Sequence, residues 1–263
     1  MSNQKESVAK TLSVALVVSL VAAVFVAGAA VGLKPVQKEN RQTDMQRSIL
    51  QIAGLLPNAQ AGSTEVKRIF GSQIEAKVVD LESGNYLDED PLNVNPTALA
   101  SDTTQSKALQ SGEDIASIKR RENKSVVYWA KDESGNIKSL ILPVRGYGLW
   151  STLYGFLAVE SDLNTVVGLG FYQHGETPGL GGEVDNPRWK AKWPGKSLFE
   201  GDELNIHVIK GTVKSNDPQA IHKVDGLAGA TLTSRGVSNM LHFWLGEQGF
   251  GAYLKKLRAE KGV

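Results

Sequence analysis

The apolar pattern of the chain begins with a run from Leu12 to Leu33, LSVALVVSLVAAVFVAGAAVGL, that carries no charge and is long enough to cross the hydrocarbon core of a bilayer. A cleaved signal peptide is the rival reading, because Ala27-Gly28-Ala29 has the form of a cleavage site. The apolar core of such a peptide, however, spans only about 7–15 residues. The pattern therefore predicts a tail over residues 1–11 and a transmembrane helix over 12–33. Met45, Ile49, Ile52, Leu55 and Leu56 then recur at roughly helical spacing up to Pro57, which predicts a juxtamembrane helix stopped by that proline. Residues 64–79 read as a short helix or a strand. Residues 83–104 are rich in Asn, Asp, Pro, Ser and Thr without periodicity, as in a long surface excursion.

From residue 125 the period changes. Ser125 to Ala130 and Ile137 to Val144 flank Asp132-Glu133-Ser134-Gly135-Asn136, which predicts a hairpin and the start of an antiparallel sheet. Two further strands are predicted at 155–159 and 165–172, and another at 204–213, LNIHVIKGTV. A short helix is expected over 187–193. Val237, Met240, Leu241, Trp244 and Leu245 lie on one face of an amphipathic helix that ends at Gly246, and Phe250, Tyr253, Leu254 and Leu257 on one face of a last helix. The fold class is α+β: a single N-terminal transmembrane helix, then a soluble domain with an antiparallel sheet flanked by helices.

Three Gly-rich stretches interrupt this scaffold. Asp225-Gly226-Leu227-Ala228-Gly229-Ala230-Thr231-Leu232-Thr233-Ser234 runs into the amphipathic helix and places Thr231 at or near its N-terminus, where free N–H groups and the helix dipole favour a phosphate. A Ser/Thr cap with glycines for the turn is the structural reading of the same residues. Gly146-Tyr147-Gly148-Leu149-Trp150-Ser151 suits either a backbone passing under a flat ligand or a tight turn with a core Trp. His174 to Gly182 reads as a binding loop on rigid strands or as a long hairpin loop, and Glu176 within it as an acceptor for a ligand N–H.

Composition narrows the chemistry. The 263 residues carry a formal net charge of +1 and no cysteine, which argues against a nucleic-acid surface and removes thiolate chemistry and Cys-ligated metals. His174, His207, His222 and His242 show no metal-ligand spacing, and hydrolase, P-loop and dinucleotide-binding signatures are missing. Lys5 and Lys10 precede the apolar run while Lys34, Lys38, Arg41 and Arg47 follow it, so charge alone leaves the orientation undecided.

Asp225-Gly226-Leu227-Ala228-Gly229-Ala230-Thr231 resembles the flavinylation sequence D-G-x-[ST]-G-A-T of FMN-binding domains. Glu176-Thr177-Pro178-Gly179-Leu180-Gly181 and Gly146-Tyr147-Gly148-Leu149-Trp150 resemble the other two flavin-site motifs. With the anchor, nearly all of the chain is similar to the C subunits of sodium-translocating NADH:quinone oxidoreductases. The resemblance implies FMN bound covalently through a phosphoester to Thr231, with Thr233 as the competing acceptor, and residues 125–263 as the FMN-binding domain. Asp225, Gly229, Ala230, Leu232, Thr233, Glu176, Thr177, Gly179, Leu180, Gly181, Tyr147, Gly148, Leu149 and Trp150 are the cofactor-binding residues it implies. It also implies electron relay among the other subunits of a membrane redox complex, no NADH site in this chain, and attachment of FMN by a flavin transferase that uses FAD and a metal ion. The resemblance further implies that attachment occurs outside the cytoplasm, which favours a periplasmic soluble domain on a single-pass anchor in the bacterial inner membrane. A G subunit of an Rnf-type complex and an anchored binding module without covalent flavin are the alternatives. Ala228 departs from the pattern, standing where the family has Ser or Thr.

Overall fold

The computed structural model describes residues 7–56, 58 and 60–262 and divides the chain into two units, Met1–Asp44 and Met45–Val263. Pro57, the predicted helix stop, lies outside the described residues. Helix α1 (Val8–Ile52) runs through Pro35 as one helix, where the apolar pattern predicts two. Between the two apolar stretches lie Gln37, Lys38, Glu39, Arg41 and Gln42, good helix formers with no glycine to interrupt them. Within the first unit, α1 carries an 18-residue window of mean hydropathy 2.7 with none of it buried, a length and composition sufficient to span a bilayer.

In the second unit the elements follow in the order α2 (Ser63–Gln73), β1 (Ile74–Asp80), β2 (Tyr86–Leu87), α3 (Pro96–Ser101), β3 (Ser106–Ala108), β4 (Arg120–Glu122), β5 (Lys124–Lys131), β6 (Ile137–Tyr147), β7 (Thr152–Glu160) and β8 (Val166–Gln173). Then come α4 (Pro187–Lys190), β9 (Phe199–Glu200), β10 (Glu203–Leu204), β11 (His207–Val208), β12 (Lys223–Val224), α5 (Thr231–Leu245) and α6 (Gly251–Lys261). Six strands form one sheet in the order β2-β1-β5-β6-β7-β8, with every pairing antiparallel. The sheet thus starts about fifty residues earlier than the sequence pattern suggests: β1 pairs with β5 from Ile74↔Ala130 to Asp80↔Lys124. Alternation in β1 is masked because Glu75 is tied to Lys77 at 3.1 Å and to Lys131 at 2.7 Å, so charges occupy a half-covered face.

Both faces of the sheet are covered, which explains why β5 reads SVVYWA rather than alternating with polar residues. On one face Val127, Trp129, Leu140, Leu142, Val144, Leu157 and Val159 pack with Val237, Met240, Leu241 and Trp244 of α5 and Tyr253 and Leu254 of α6. On the other, Val126, Tyr128, Ile141, Phe156 and Ala158 pack with Ile49 and Ala53 at the end of α1. Ile52 lies so close to β8 that a Cβ at Gly168 would sit 2.9 Å from its carbonyl oxygen.

The predicted strand over 204–213 is instead two dipeptide strands, β10 and β11, separated by Asn205 and Ile206, with no strand after Val208 in that stretch. Asn205 and Ile206 both donate their N–H to the Leu198 carbonyl, at 2.9 and 3.1 Å. Val208 donates to Ser238 Oγ at 2.8 Å, and Gly211 has a left-handed φ of 82°. Its apolar residues bury against α5 without a long ladder. Residues 64–79, left open between helix and strand, are both in succession, α2 then β1.

Candidate functional site

Thr231 is the first residue of α5, and the helix has no side-chain cap: the cap residue is Ala230, with no capping hydrogen bond. The turn that leads into it is closed by the first turn of the helix and by its own backbone. Leu227 N–H donates to Ser234 Oγ at 2.9 Å, and Ala230 N–H to the Leu227 carbonyl at 3.1 Å. Asp225 anchors the turn, accepting from Val213 N–H at 2.8 Å and pairing with Lys192, while its carbonyl accepts from Trp189 Nε1 at 2.8 Å. Burial raises the Asp225 pKa, but Lys192 and the Val213 N–H outweigh it and hold the carboxyl below the usual range. Gly226 admits no side chain, since a Cβ there would lie 2.3 Å from the Ile209 carbonyl oxygen. Ala228, the residue out of pattern, is exposed, and the turn closes without a hydroxyl at that position.

The other two Gly-rich loops meet this turn at one carboxylate. Glu176 is only 5% exposed. Its Oε1 accepts from the N–H groups of Leu149 at 3.1 Å, Trp150 at 2.9 Å and Ser151 at 3.1 Å. Its Oε2 accepts from Thr233 Oγ1 at 2.7 Å. Sequence reasoning has Glu176 facing a ligand N–H; its oxygens are instead taken up inside the chain, tying the 148–151 loop to α5. Burial pushes the Glu176 pKa up, and the Thr233 hydroxyl with the Trp150, Leu149 and Ser151 N–H groups brings it below the usual glutamate value. Behind it, Glu176 N–H donates to His174 Nδ1 at 3.2 Å, which leaves the proton on Nε2, 2.7 Å from Asp185.

The glycines of these loops make room for that carboxylate. A Cβ at Gly148 would fall 2.7 Å from Glu176 Oε1, and one at Gly181 would fall 2.5 Å from Oε2 and 2.6 Å from Thr233 Oγ1. Gly181→Ala should therefore lower stability by about 1–3 kcal/mol, read as a drop in the unfolding temperature of the full-length chain; an unchanged temperature would show that the clasp can open without loss.

Thr231 and Thr233, two residues apart, have opposite surroundings. Thr233 is wholly buried. Thr231 is exposed and makes no hydrogen bond through its hydroxyl to another described residue. Leu232, next to it in sequence, is 50% exposed, and the two loops that meet α5 through Glu176 leave further large apolar side chains open to solvent: Trp150 67%, Leu180 44%, Tyr147 44% and Leu149 38% exposed. Large exposed apolar side chains on adjoining loops mark a place that something apolar covers. Leu180 reaches Gly229, where a Cβ would lie 3.0 Å from its Cδ2. Gly148 and Tyr147 lie against Gly236 of α5. Thr177 and Gly179 belong to the same loop, which is folded back by Leu180 and Gly182 N–H groups donating to the Thr177 carbonyl at 3.1 and 2.9 Å.

A cavity of about 560 Å³ opens beside Thr231, lined among others by Lys210, Thr212, Gly226, Ala228 and Arg235. No Asp or Glu lines it. Sequence reasoning missed its two cations. Arg235, four residues beyond Thr231 on α5, was legible from helical spacing; Lys210 was not, because it lies in the stretch misread as a strand.

The family model described as FMN-binding domain matches residues 148–246. The C subunit of the Na(+)-translocating NADH-quinone reductase of Pseudomonas aeruginosa is 62% identical over 260 residues, covering 98% of each chain. That of Vibrio alginolyticus is 43% identical over 259 residues, again 98% of each. Among solved structures, Shewanella oneidensis NqrC aligns with a TM-score of 0.76 at 36% identity, over 84% of this chain and 99% of that one. The chain belongs to the family of C subunits of Na(+)-translocating NADH-quinone reductases.

Proposed function

We propose that this chain is a membrane-anchored flavoprotein subunit that relays electrons through an FMN joined to Thr231 by a phosphoester, within a sodium-translocating NADH:quinone oxidoreductase. The observation that carries the reading is the contrast between the two candidate acceptors: Thr231 is exposed at the start of α5 with its hydroxyl uncommitted, while Thr233 is buried and bonded to Glu176. Only one of them can be reached by a modifying enzyme.

The residues present fit the group. A flavin ring is flat and largely apolar, and Trp150, Leu149, Tyr147, Leu180 and Leu232 offer exposed apolar surface on the loops that meet α5 and on its first turn. A phosphodiester keeps one negative charge, which the free N–H groups at the start of the 15-residue α5 and the cations Lys210 and Arg235 across the cavity would hold. FMN supplies the redox chemistry when bound, and the chain supplies position and electrostatics. A tether makes each return of the ring to its site intramolecular.

Thr231 has no base among its partners to activate it, so a separate flavin transferase is assigned the attachment. In that step the Thr231 oxygen takes the FMN phosphoryl group of FAD, the pyrophosphate bond breaks and AMP leaves. All the residues assigned to FMN fall within 125–263, the FMN-binding domain; residues 34–124 supply the juxtamembrane part of α1 and the segment that completes the sheet. We place the soluble unit in the periplasm on a single-pass anchor in the bacterial inner membrane, with the other subunits of the complex as redox partners and NADH oxidised elsewhere in it.

The test is a denaturing gel of the full-length chain co-expressed with a flavin transferase. In-gel flavin fluorescence should persist in the unaltered chain and in Thr233→Val and vanish in Thr231→Val. A dark band for the unaltered chain would refute the covalent flavoprotein reading, and a bright one for Thr231→Val would move the attachment site.

A further inference from the structure

Glu176 is a buried carboxylate, 5% exposed, that no cation pairs with among the described residues. Every hydrogen bond it accepts comes from a backbone N–H or a neutral hydroxyl: Leu149, Trp150, Ser151 and Thr233. The other strongly buried acid of this unit, Glu122, is paired with Arg145. Packing an uncompensated charge into the junction of three loops is costly unless those dipoles are fixed around it, and here Gly148 and Gly181 are both shaped to admit it.

On the reading that FMN is carried by Thr231, we propose that Glu176 is a fixed anion that opposes electron uptake by the flavin and so holds the potential of the site down. Its partners Leu149 and Trp150 are the exposed apolar residues that border the ring, and their N–H groups point to the carboxylate instead of to the ligand. The ring gains negative charge with each electron it accepts before a proton follows. A buried charge of the same sign, in a medium far less polarisable than water, makes that gain less favourable. Lys210 and Arg235 line the same cavity as Thr231, and Glu176 does not, so the charges act in opposite directions: the cations serve the phosphodiester, the anion disfavours the reduced ring.

Glu176→Gln isolates the charge from the clasp. The amide oxygen can take the place of Oε1 and accept from Leu149, Trp150 and Ser151, while the amide nitrogen donates to Thr233 Oγ1, a hydroxyl able to accept. The full-length chain, flavinylated and purified in detergent, would be titrated spectroelectrochemically. At a fixed solution potential the reduced-to-oxidised ratio should rise roughly tenfold in Glu176→Gln, equivalent to a positive shift of about 59 mV for a one-electron couple. Thr233→Val keeps the charge but strips one donor from it, so its potential should fall below that of the unaltered chain. A purely structural role for Glu176 would not shift the two variants in opposite directions.

A Glu176→Gln potential equal to or below the unaltered one overturns the proposal. If that variant fails to take up flavin, Thr233→Val decides: a lower potential supports the proposal and an equal or higher one overturns it. Covalent fluorescence of the unaltered chain is read on the same samples, so failure of the tuning proposal is distinct from failure of the flavoprotein reading, which would overturn both.

Discussion

Glu176→Ala should lower the stability of the full-length chain by about 3–5 kcal/mol and release the 148–151 loop from α5. The carboxylate accepts hydrogen bonds from four residues, the closest from each at 2.7–3.1 Å, through its two oxygens. A hydrogen bond to a charged group contributes roughly 1.5–3 kcal/mol, and a polar group left without its partner costs about 1–3 kcal/mol. Full additivity would give a larger total, but Leu149 and Trp150 are exposed, so water re-pairs part of what is lost. Thr233 is buried and has no such relief. Because the folded-state pKa lies below the usual glutamate value of 4.5, the carboxylate stabilises the fold fully above that value and loses its effect as the pH falls through the depressed one. Thermal unfolding in detergent should therefore show a wide gap between Glu176→Ala and the unaltered chain at pH 7 that closes on acidification below 4.5, as the pH passes through the depressed pKa. A gap that persists at acid pH would mean the charge is not what holds the loops.

Much of the sheet was legible because β5 to β8 are joined by short turns and carry continuous apolar runs, so strand limits and turn residues agree. Asp132 shows why: it accepts from Ser134 and Asn136 N–H groups at 2.9 Å each, a local turn that needs no tertiary partner. β1 was not legible as the sheet's next strand, since its match to β5 spans a sequence gap filled by β2 to β4 and five of its seven side chains are partly open, three of them charged. The stretch 204–213 misled for the opposite reason. Its apolar residues obey strand periodicity, but their N–H groups are claimed by Leu198, Ser238 and Val224, partners that no local pattern reveals.

The site divides in the same way. Thr231, the glycine turn and the helix start follow from local spacing, and the three Gly-rich stretches were singled out before their meeting was visible. What joins them was not: Glu176 is 57 residues from Thr233 and 25–27 from the loop N–H groups it accepts. A lone Glu in a Gly-rich loop looks the same in sequence whether it faces a ligand or turns inward. Only the distances, and the absence of room for any Cβ at 148 and 181, show that it turns inward. The same distances separate Thr231 from Thr233, which composition cannot do.

Below the site, Arg145→Met should cost about 3–5 kcal/mol at neutral pH, because it leaves a buried acid without its countercharge. Glu122 is 1% exposed and is bonded to Arg145 Nη2; Arg121 Nε donates to its carbonyl at 3.2 Å. Met preserves the apolar stem that lies over Trp244, whose ring centre is 5.6 Å from the guanidinium, so packing changes little and charge changes by one. Burial pushes the Glu122 pKa up while Arg145, a backbone hydrogen bond and Arg121 pull it down; without Arg145 the upward push of burial meets less opposition. An acid whose folded-state pKa is raised stabilises the fold most below its unfolded value, and that contribution is lost as the pH rises through the raised one. The deficit of Arg145→Met should thus be small at pH 4 and grow toward pH 8, the reverse of the trend for Glu176→Ala, when both are followed by thermal unfolding of the full-length chain. Opposite slopes would show that one acid is held charged by the fold and the other is tolerated only with its arginine. Parallel slopes would defeat the assignment of Arg145 as the countercharge. The consequence reaches the flavin loops, since β6 carries Arg145 only two residues before Tyr147, and Trp244 of α5 donates from Nε1 to the Arg145 carbonyl at 2.7 Å. That bond fixes the strand end from which the Gly148 to Ser151 loop reaches Glu176.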